Sequence, residues 1–200
     1  MSKIVHLLIA AGESKRMKQP KQLLSWGNNT LIEHQIHTLL GTNQDVIVIL
    51  GAYADEIFPV IKDFPIKIVT NKQWAKGMGT SIAYGIEMLW SNFPNTDGVL
   101  ISLIDQPLVT NHHFEKMINR FEPEKRQIIV SRSTEGWTGV PVLFDTYYFD
   151  ALQKLCGEEG AKKIIRQENS NVVYIDAANL LTDMDTPEVY RELHQKFLSN

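Results

Sequence analysis

The residues best suited to chemistry in this 200-residue chain lie near its start, in Ile9-Ala10-Ala11-Gly12-Glu13-Ser14-Lys15-Arg16-Met17-Lys18-Gln19-Pro20-Lys21. Small residues at 10–12 let the backbone approach a ligand closely and turn its N–H groups toward anionic oxygens. Arg16 offers a planar fork that matches a phosphate, and Lys21 a mobile point charge. Such a set stabilises phosphate oxygens by position and charge. The competing reading is a solvated basic loop. Gly12 stands alone, so neither G-x-G-x-x-G nor G-x-x-x-x-G-K-[ST] is present, which argues against a nicotinamide dehydrogenase and against a P-loop.

Carboxylates form the second group. Asp105 follows the apolar run Val99–Ile104, where it either holds a divalent cation through a hard oxygen or caps the turn that Pro107 favours. Asp183 and Asp185 precede Thr186-Pro187, a helix start with Thr as N-cap and Pro in the first turn. Asp185 supplies a second carboxylate to an ion, or both aspartates serve only the helix dipole. In Gly77-Met78-Gly79-Thr80-Ser81, Gly79 and Ser81 suit an anion or a ribose hydroxyl ahead of a helix. The alternative is that Thr80 or Ser81 is a plain N-cap. Asn71, after the run Ile66–Val69, is a candidate base or ribose contact. His34 with His37, and His112 with His113, lack a third ligand nearby and read as helix-surface residues. Cys156 has no motif partner for nucleophilic work. Of the four tryptophans, only Trp74 and Trp137 fall in loops near these segments.

The elements that must position these groups recur in one pattern, an apolar β-branched run followed by a helical period. The runs are Ile4–Ala10, Val46–Leu50, Ile66–Val69, Val99–Ile104, Ile128–Val130 and Val140–Phe144. Between them Leu31–Leu40, Tyr53–Ile61, Ser81–Leu89 and His112–Phe121 read as helices, and Glu188–Phe197 follows as the last. Thr30 and Glu33 have capping-box spacing. Strands without polar alternation are buried on both faces, so the expected fold class is α/β: a three-layer, Rossmann-like domain over residues 1–200 with a mainly parallel sheet. Ligands of such sheets sit beyond the carboxyl ends of strands, where the loops Gly12–Lys21, Gly51–Asp55 and Asp105–Thr110 fall.

Composition narrows the partners. With 44% hydrophobic and 22% charged residues the chain can bury a sizeable core, and its net charge of −3 argues against nucleic acid and membrane surfaces. The charge is uneven: residues 1–26 carry five cations against Glu13, so a small polyanion would meet a locally basic segment. No segment reaches the roughly 20 apolar residues a bilayer span needs. The first run is followed by charge rather than a small neutral cleavage site. One cysteine excludes an internal disulfide and fits a reducing compartment, so the expected location is the cytoplasm.

The first segment resembles the L-A-A-G-x-S-x-R-M-G-x-x-K signature of the MobA-like nucleotidyltransferases. Four further elements resemble that family in order: Gly77-Met78-Gly79-Thr80-Ser81, Asp105-Gln106-Pro107, Gly139-Val140-Pro141-Val142-Leu143-Phe144 and Asp183-Met184-Asp185-Thr186-Pro187-Glu188. Ala10-Ala11-Gly12 is most similar to the branch that transfers a cytidylyl group to the molybdenum cofactor (the MocA type), whereas the GTP-using branch tends to have Ala-Gly-Gly.

The resemblance implies a Mg²⁺-dependent nucleotidyltransferase that joins CMP from CTP to the phosphate of molybdopterin. Ala10, Ala11, Gly12, Asn71, Gly79 and Ser81 would contact the nucleotide. Arg16 and Lys21 would hold its triphosphate, and Asp105 with Asp185 the metal. A molybdoenzyme or its maturation factor would be a further partner. GTP as donor, another phosphorylated acceptor, and a non-catalytic cofactor-delivery protein are the alternatives. Two positions depart from the pattern: Lys18 stands where the family has glycine, and Lys162 where the cofactor branch often has arginine.

Overall fold

In the computed structural model, which describes residues 2–158 and 160–199, the first apolar run forms the centre of a seven-stranded sheet. All seven residues of β1 (Ile4–Ala10) are buried, because parallel strands lie on both sides of it and helices cover both its faces. On one side lie β2 (Asp45–Leu50) and then β3 (Lys67–Thr70); on the other lies β4 (Gly98–Leu103). Beyond β4 come β5 (Ile128–Ser133), β6 (Thr138–Asp145) and β7 (Val172–Ala178), in the order 3-2-1-4-6-5-7. Only β6 runs against its neighbours, so the sheet is mainly parallel, as expected.

Alternate side chains of β1 feed two cores. Ile4, Leu8 and Ala10 pack with α1 (Leu31–Leu40), α2 (Ala54–Ile61), α4 (Asn111–Arg120) and the final helix α7 (Pro187–Leu198). Val5, Leu7 and Ile9 pack on the opposite face with α3 (Met78–Asn92), α5 (Phe149–Gln153) and α6 (Lys162–Gln167). The capping box at Thr30 and Glu33 is present, and Thr186 caps α7 with Pro187 in its first turn.

Three expectations need correction. Helix α3 starts at Met78, three residues early, and neither Thr80 nor Ser81 caps it. Its first turn instead abuts Cys156 and Gly157: Gly79 N–H donates to Gly157 O at 2.8 Å, and a Cβ at Gly79 would lie 2.8 Å from the Cys156 backbone. Strand β7 has no counterpart among the expected runs, since it is a sheet edge with mixed burial and Asp176 within it. His113 is no surface residue. It is buried, and its Nε2 lies 2.8 Å from Ser131 Oγ, whose hydroxyl donates to Pro141 O.

His6 is buried likewise, with Nε2 2.8 Å from Thr42 Oγ1. Burial lowers the His6 pKa from 6.5 to about 3. Burial, with the charges of Lys116 and His112, lowers that of His113 to about 4. The unfolded chain therefore binds more protons than the folded one between pH 6.5 and these values, and stability falls as pH drops through that window. From pH 7 to pH 5 the expected loss is about 2 kcal/mol for each histidine. Urea unfolding at the two pH values measures it, and His6→Gln should remove about half of the difference.

Candidate active site

The strand order changes direction at β1, with β2 on one side and β4 on the other, so the chain segments leaving these strands part and open a crevice. The segment after β1 makes two short 3-10 turns, Lys15–Met17 and Lys21–Leu23, pinned by the buried Met17 and Gln22. Gln22 Nε2 donates to Ala10 O at 2.8 Å and to Gly12 O at 3.1 Å, while Ala52 N–H donates to Ala11 O at 3.1 Å. The carbonyls of residues 10–12 are thus engaged, whereas the N–H groups of Gly12 to Arg16 find no partner among the described residues. A Cβ at Gly12 would meet nothing within 4 Å, so no packing demand explains the glycine; it faces open space.

Ser14 and Lys18 hold left-handed backbone, with φ of 54° and 57°. At Lys18 this explains why glycine suits the position, since a side chain there costs about 1–2 kcal/mol. Lys18→Gly is expected to raise stability by about 0.5–1 kcal/mol, the gain being reduced by the greater freedom of the unfolded chain. A shift of the urea midpoint at unchanged slope would register it.

Four charges meet across the crevice. Lys21 Nζ lies 3.1 Å from Asp105 Oδ2 and 3.0 Å from Asp185 Oδ1, and Arg16 Nη2 lies 2.7 Å from Asp185 Oδ2. The Lys21 side chain is only 9% exposed. Burial pushes the Asp185 carboxyl up, but hydrogen bonds and charge from Lys21 and Arg16 outweigh it and hold the pKa below the usual value. Asp183, next in the same segment, goes the other way: burial and the Asp105 charge raise it against the hydrogen bond from Gln106.

Asp105 is held from several sides. Met184 N–H donates to its carbonyl at 2.7 Å. Gln106 Nε2 donates to Asp183 Oδ1 at 3.0 Å, and Gln35 Nε2 from α1 donates to Gln106 O at 2.9 Å. His34 Nε2 lies 3.2 Å from Pro107 O. Sequence reasoning did not single out Gln22, Gln35 or Gln106 as positioning groups, because a buried glutamine leaves no periodic signal; only the Asp-Gln-Pro motif flagged one of them.

Two cavities meet at these carboxylates. One, of about 280 Å³, runs along Gly12, Ser14, Arg16 and Lys21. The other, of about 770 Å³, is mostly apolar, with Ile82, Val140 and Ile165 in its wall and Trp137, Lys162 and Asp183 around it. Asp105 and Asp185 border both. The structure therefore brings Gly12, Arg16, Lys21, Asp105 and Asp185 together, with Ala10 and Ala11 supporting them from the strand end. Asn71 and Ser81 stand apart: Asn71 Nδ2 donates to Thr80 Oγ1 and Ser81 Oγ, both at 3.0 Å, and Oδ1 accepts from Gln73 N–H. Asn71 faces a third cleft, shared with Cys156.

No group of three or more His, Cys, Asp or Glu is preassembled as a metal cluster among the described residues. The donors nevertheless fit a hard cation of the kind that one or two carboxylates and substrate phosphates hold together. Asp105 Oδ1 is buried without a hydrogen-bond partner, an unmet acceptor beside Asp185. No helix among the described residues is long and apolar enough to cross a membrane.

Comparison with known proteins gives the family and the fold. The MobA-like NTP transferase domain family matches residues 6–172. A protein named nicotine blue oxidoreductase, from Paenarthrobacter nicotinovorans, is 29% identical over 95% of this chain and 96% of its own length. A Bacillus cereus (strain ZK / E33L) protein bearing the name "Probable molybdenum cofactor guanylyltransferase" is 29% identical over 64% of this chain and 62% of its own. Among solved structures, Rv0371c from Mycobacterium tuberculosis H37Rv has the same fold, with a TM-score of 0.85 at 24% identity over 97% of this chain and 98% of that one.

Proposed function

The chain belongs to the MobA-like NTP transferase family and is a nucleotidyltransferase, and from that premise we propose that it transfers CMP from CTP to the phosphate of molybdopterin or its molybdenum-bearing form, in the cytoplasm. The observation that carries the reading is the run of unpartnered N–H groups from Gly12 to Arg16, beside two cations and facing Asp105 across one crevice. These groups bind the triphosphate, with Arg16 and Lys21 taking up charge as the acceptor phosphate attacks the α-phosphorus in line and pyrophosphate leaves. Removing either cation costs on the order of 10²–10³ in rate, by analogy with oxyanion donors. The acceptor phosphate is already ionised near neutral pH, so the site needs no general base. Ala10 and Ala11 set the floor under the nucleotide. Gly79, Asn71 and Ser81 shape the start of α3 that borders it, and their proposed contacts to base or ribose require Asn71 to exchange its internal hydrogen bonds. Asp105 and Asp185 would hold a Mg²⁺ ion, whose positive charge would offset the charge developing on the leaving group.

The larger cavity suits the acceptor. Its apolar wall, with Trp137 41% exposed at the rim, accommodates a flat ring, and Lys162 supplies a cation for an acidic substituent. Delivery of the product to a molybdoenzyme or its maturation factor would follow.

Ala10-Ala11-Gly12 supports CTP as donor, while the name of the Bacillus cereus relative supports GTP as the second reading. A redox activity draws support from the name of the Paenarthrobacter relative alone; the cation loop and the carboxylate pair have no role in hydride transfer. The deciding experiment incubates the protein with molybdopterin, Mg²⁺ and each of CTP, GTP, ATP and UTP, measuring pyrophosphate and the nucleotide product. CTP should lead by at least about tenfold, a difference of about 1.4 kcal/mol in transition-state binding. A preference for GTP would replace the cytidylyl assignment, and tight binding without turnover would favour a delivery protein.

A further inference from the structure

The ammonium of Lys21 occupies the space between the two carboxylates proposed to hold the metal. It sits 3.1 Å from Asp105 Oδ2 and 3.0 Å from Asp185 Oδ1, with its side chain 9% exposed. Its backbone is fixed at the start of a 3-10 turn, where Lys21 N–H donates to Ser14 Oγ at 3.3 Å. Arg16 takes the other oxygen of Asp185 at 2.7 Å. Both carboxylates are thus ion-paired, and although Asp183 adds a third carboxylate to the cluster, the Lys21 ammonium itself holds the place between their oxygens. A divalent ion entering between the same oxygens would meet a desolvated ammonium at close range, which is repulsive in a poorly hydrated site. A triphosphate changes this, because it offers both cations another anionic partner.

We propose that Lys21 is the internal counter-ion of the Asp105–Asp185 pair in the nucleotide-free protein, and that it gates the metal: the divalent cation binds there only once a triphosphate has drawn Lys21 away. This inference rests on the reading of Asp105 and Asp185 as metal ligands. It makes nucleotide and metal binding positively coupled, and by linkage each raises the affinity of the other by the same factor. Lys21 accordingly has two roles, holding the triphosphate when nucleotide is present and excluding metal when it is absent.

The test needs neither acceptor nor turnover. Mn²⁺ is titrated into the nucleotide-free protein, and free ion is counted by electron paramagnetic resonance. Lys21→Met should bind Mn²⁺ at least about tenfold more tightly than the unsubstituted protein, within the usual range of coupling between sites. Adding Asp105→Asn to Lys21→Met should abolish the gain. Lys21→Gln removes the same charge while keeping a polar side chain, so it gives the answer if the methionine variant folds poorly by circular dichroism. Lys21→Arg should retain the exclusion. Equal or weaker Mn²⁺ binding in both neutral variants overturns the proposal. GTP as the donor, or another phosphate as the acceptor, would leave this result untouched, because the decisive arm contains no nucleotide. If no variant binds Mn²⁺ at all, the metal reading of the aspartates falls and the gate with it.

Discussion

Asp105→Asn is expected to lower pyrophosphate release by about 10³-fold or more while leaving the fold in place. The substitution keeps the shape of the side chain and removes its charge. Asp105 borders both cavities, and one of its carboxylate oxygens is buried and unpartnered, so the loss falls where the proposed nucleotide and acceptor sites adjoin. Stability should change little, because Lys21 keeps its contact with Asp185 and the backbone of residue 105 stays tied to Met184. Pyrophosphate release and a thermal melt on the same preparation separate the two effects. Undiminished turnover would show that this carboxylate takes no part in the reaction.

Gly77→Ala acts on the other side of the site and through packing. Gly77 has φ of 107°, a backbone conformation unfavourable for a side chain. Its added Cβ would collide with the carbonyl carbon of Gly157 and lie 2.8 Å from Glu158 N, and neither can yield as a flexible side chain would. The two penalties together are expected to destabilise the protein by about 4 kcal/mol. What survives should show a selective defect. The segment beyond Gly157 includes Gly160 and Lys162 of the larger cavity, whereas of this region only Met78 lines the smaller one, so KM for the acceptor should rise more than KM for the nucleotide. Urea unfolding gives the first quantity and steady-state kinetics the second. A variant as stable as the parent would mean that the close approach of α3 to this segment is not required.

These two residues also mark what could be read in the chain before its structure. The buried parallel strands were legible because apolar residues run through them without alternation, as in Val99–Ile104 against the observed β4. The loop after β1 and Asp105 were legible because small residues, cations and a carboxylate follow such strands. Gly77 and Gly79 were visible as a motif, but the motif did not reveal the neighbour that demands them, the Cys156–Glu158 backbone, nearly eighty residues away. Nor could local pattern find β7, whose half-exposed edge carries no clean period, or the glutamines that fasten the site from within the core. Asn71 and Ser81 suit ligand contacts by their place after a strand and in a helix start, and in the folded chain they also bond to each other. A polar residue at a strand end is read equally well as a ligand contact or as a structural tie, and only the tertiary partner distinguishes the two.

The single reversed strand, β6, has a consequence for how such a protein can change. Because it runs against its neighbours, its first residues lie on the edge of the sheet where β1 and β4 finish, and the hairpin that carries Trp137 hangs over the larger cavity. That hairpin can lengthen, shorten or exchange its aromatic residue without shifting the strands behind the triphosphate loop. On the proposed function, the acceptor side of the site could therefore change apart from the side that holds the nucleotide. Changes in residues 134–137 would then retune what is modified, while the strands behind the cation loop keep their places.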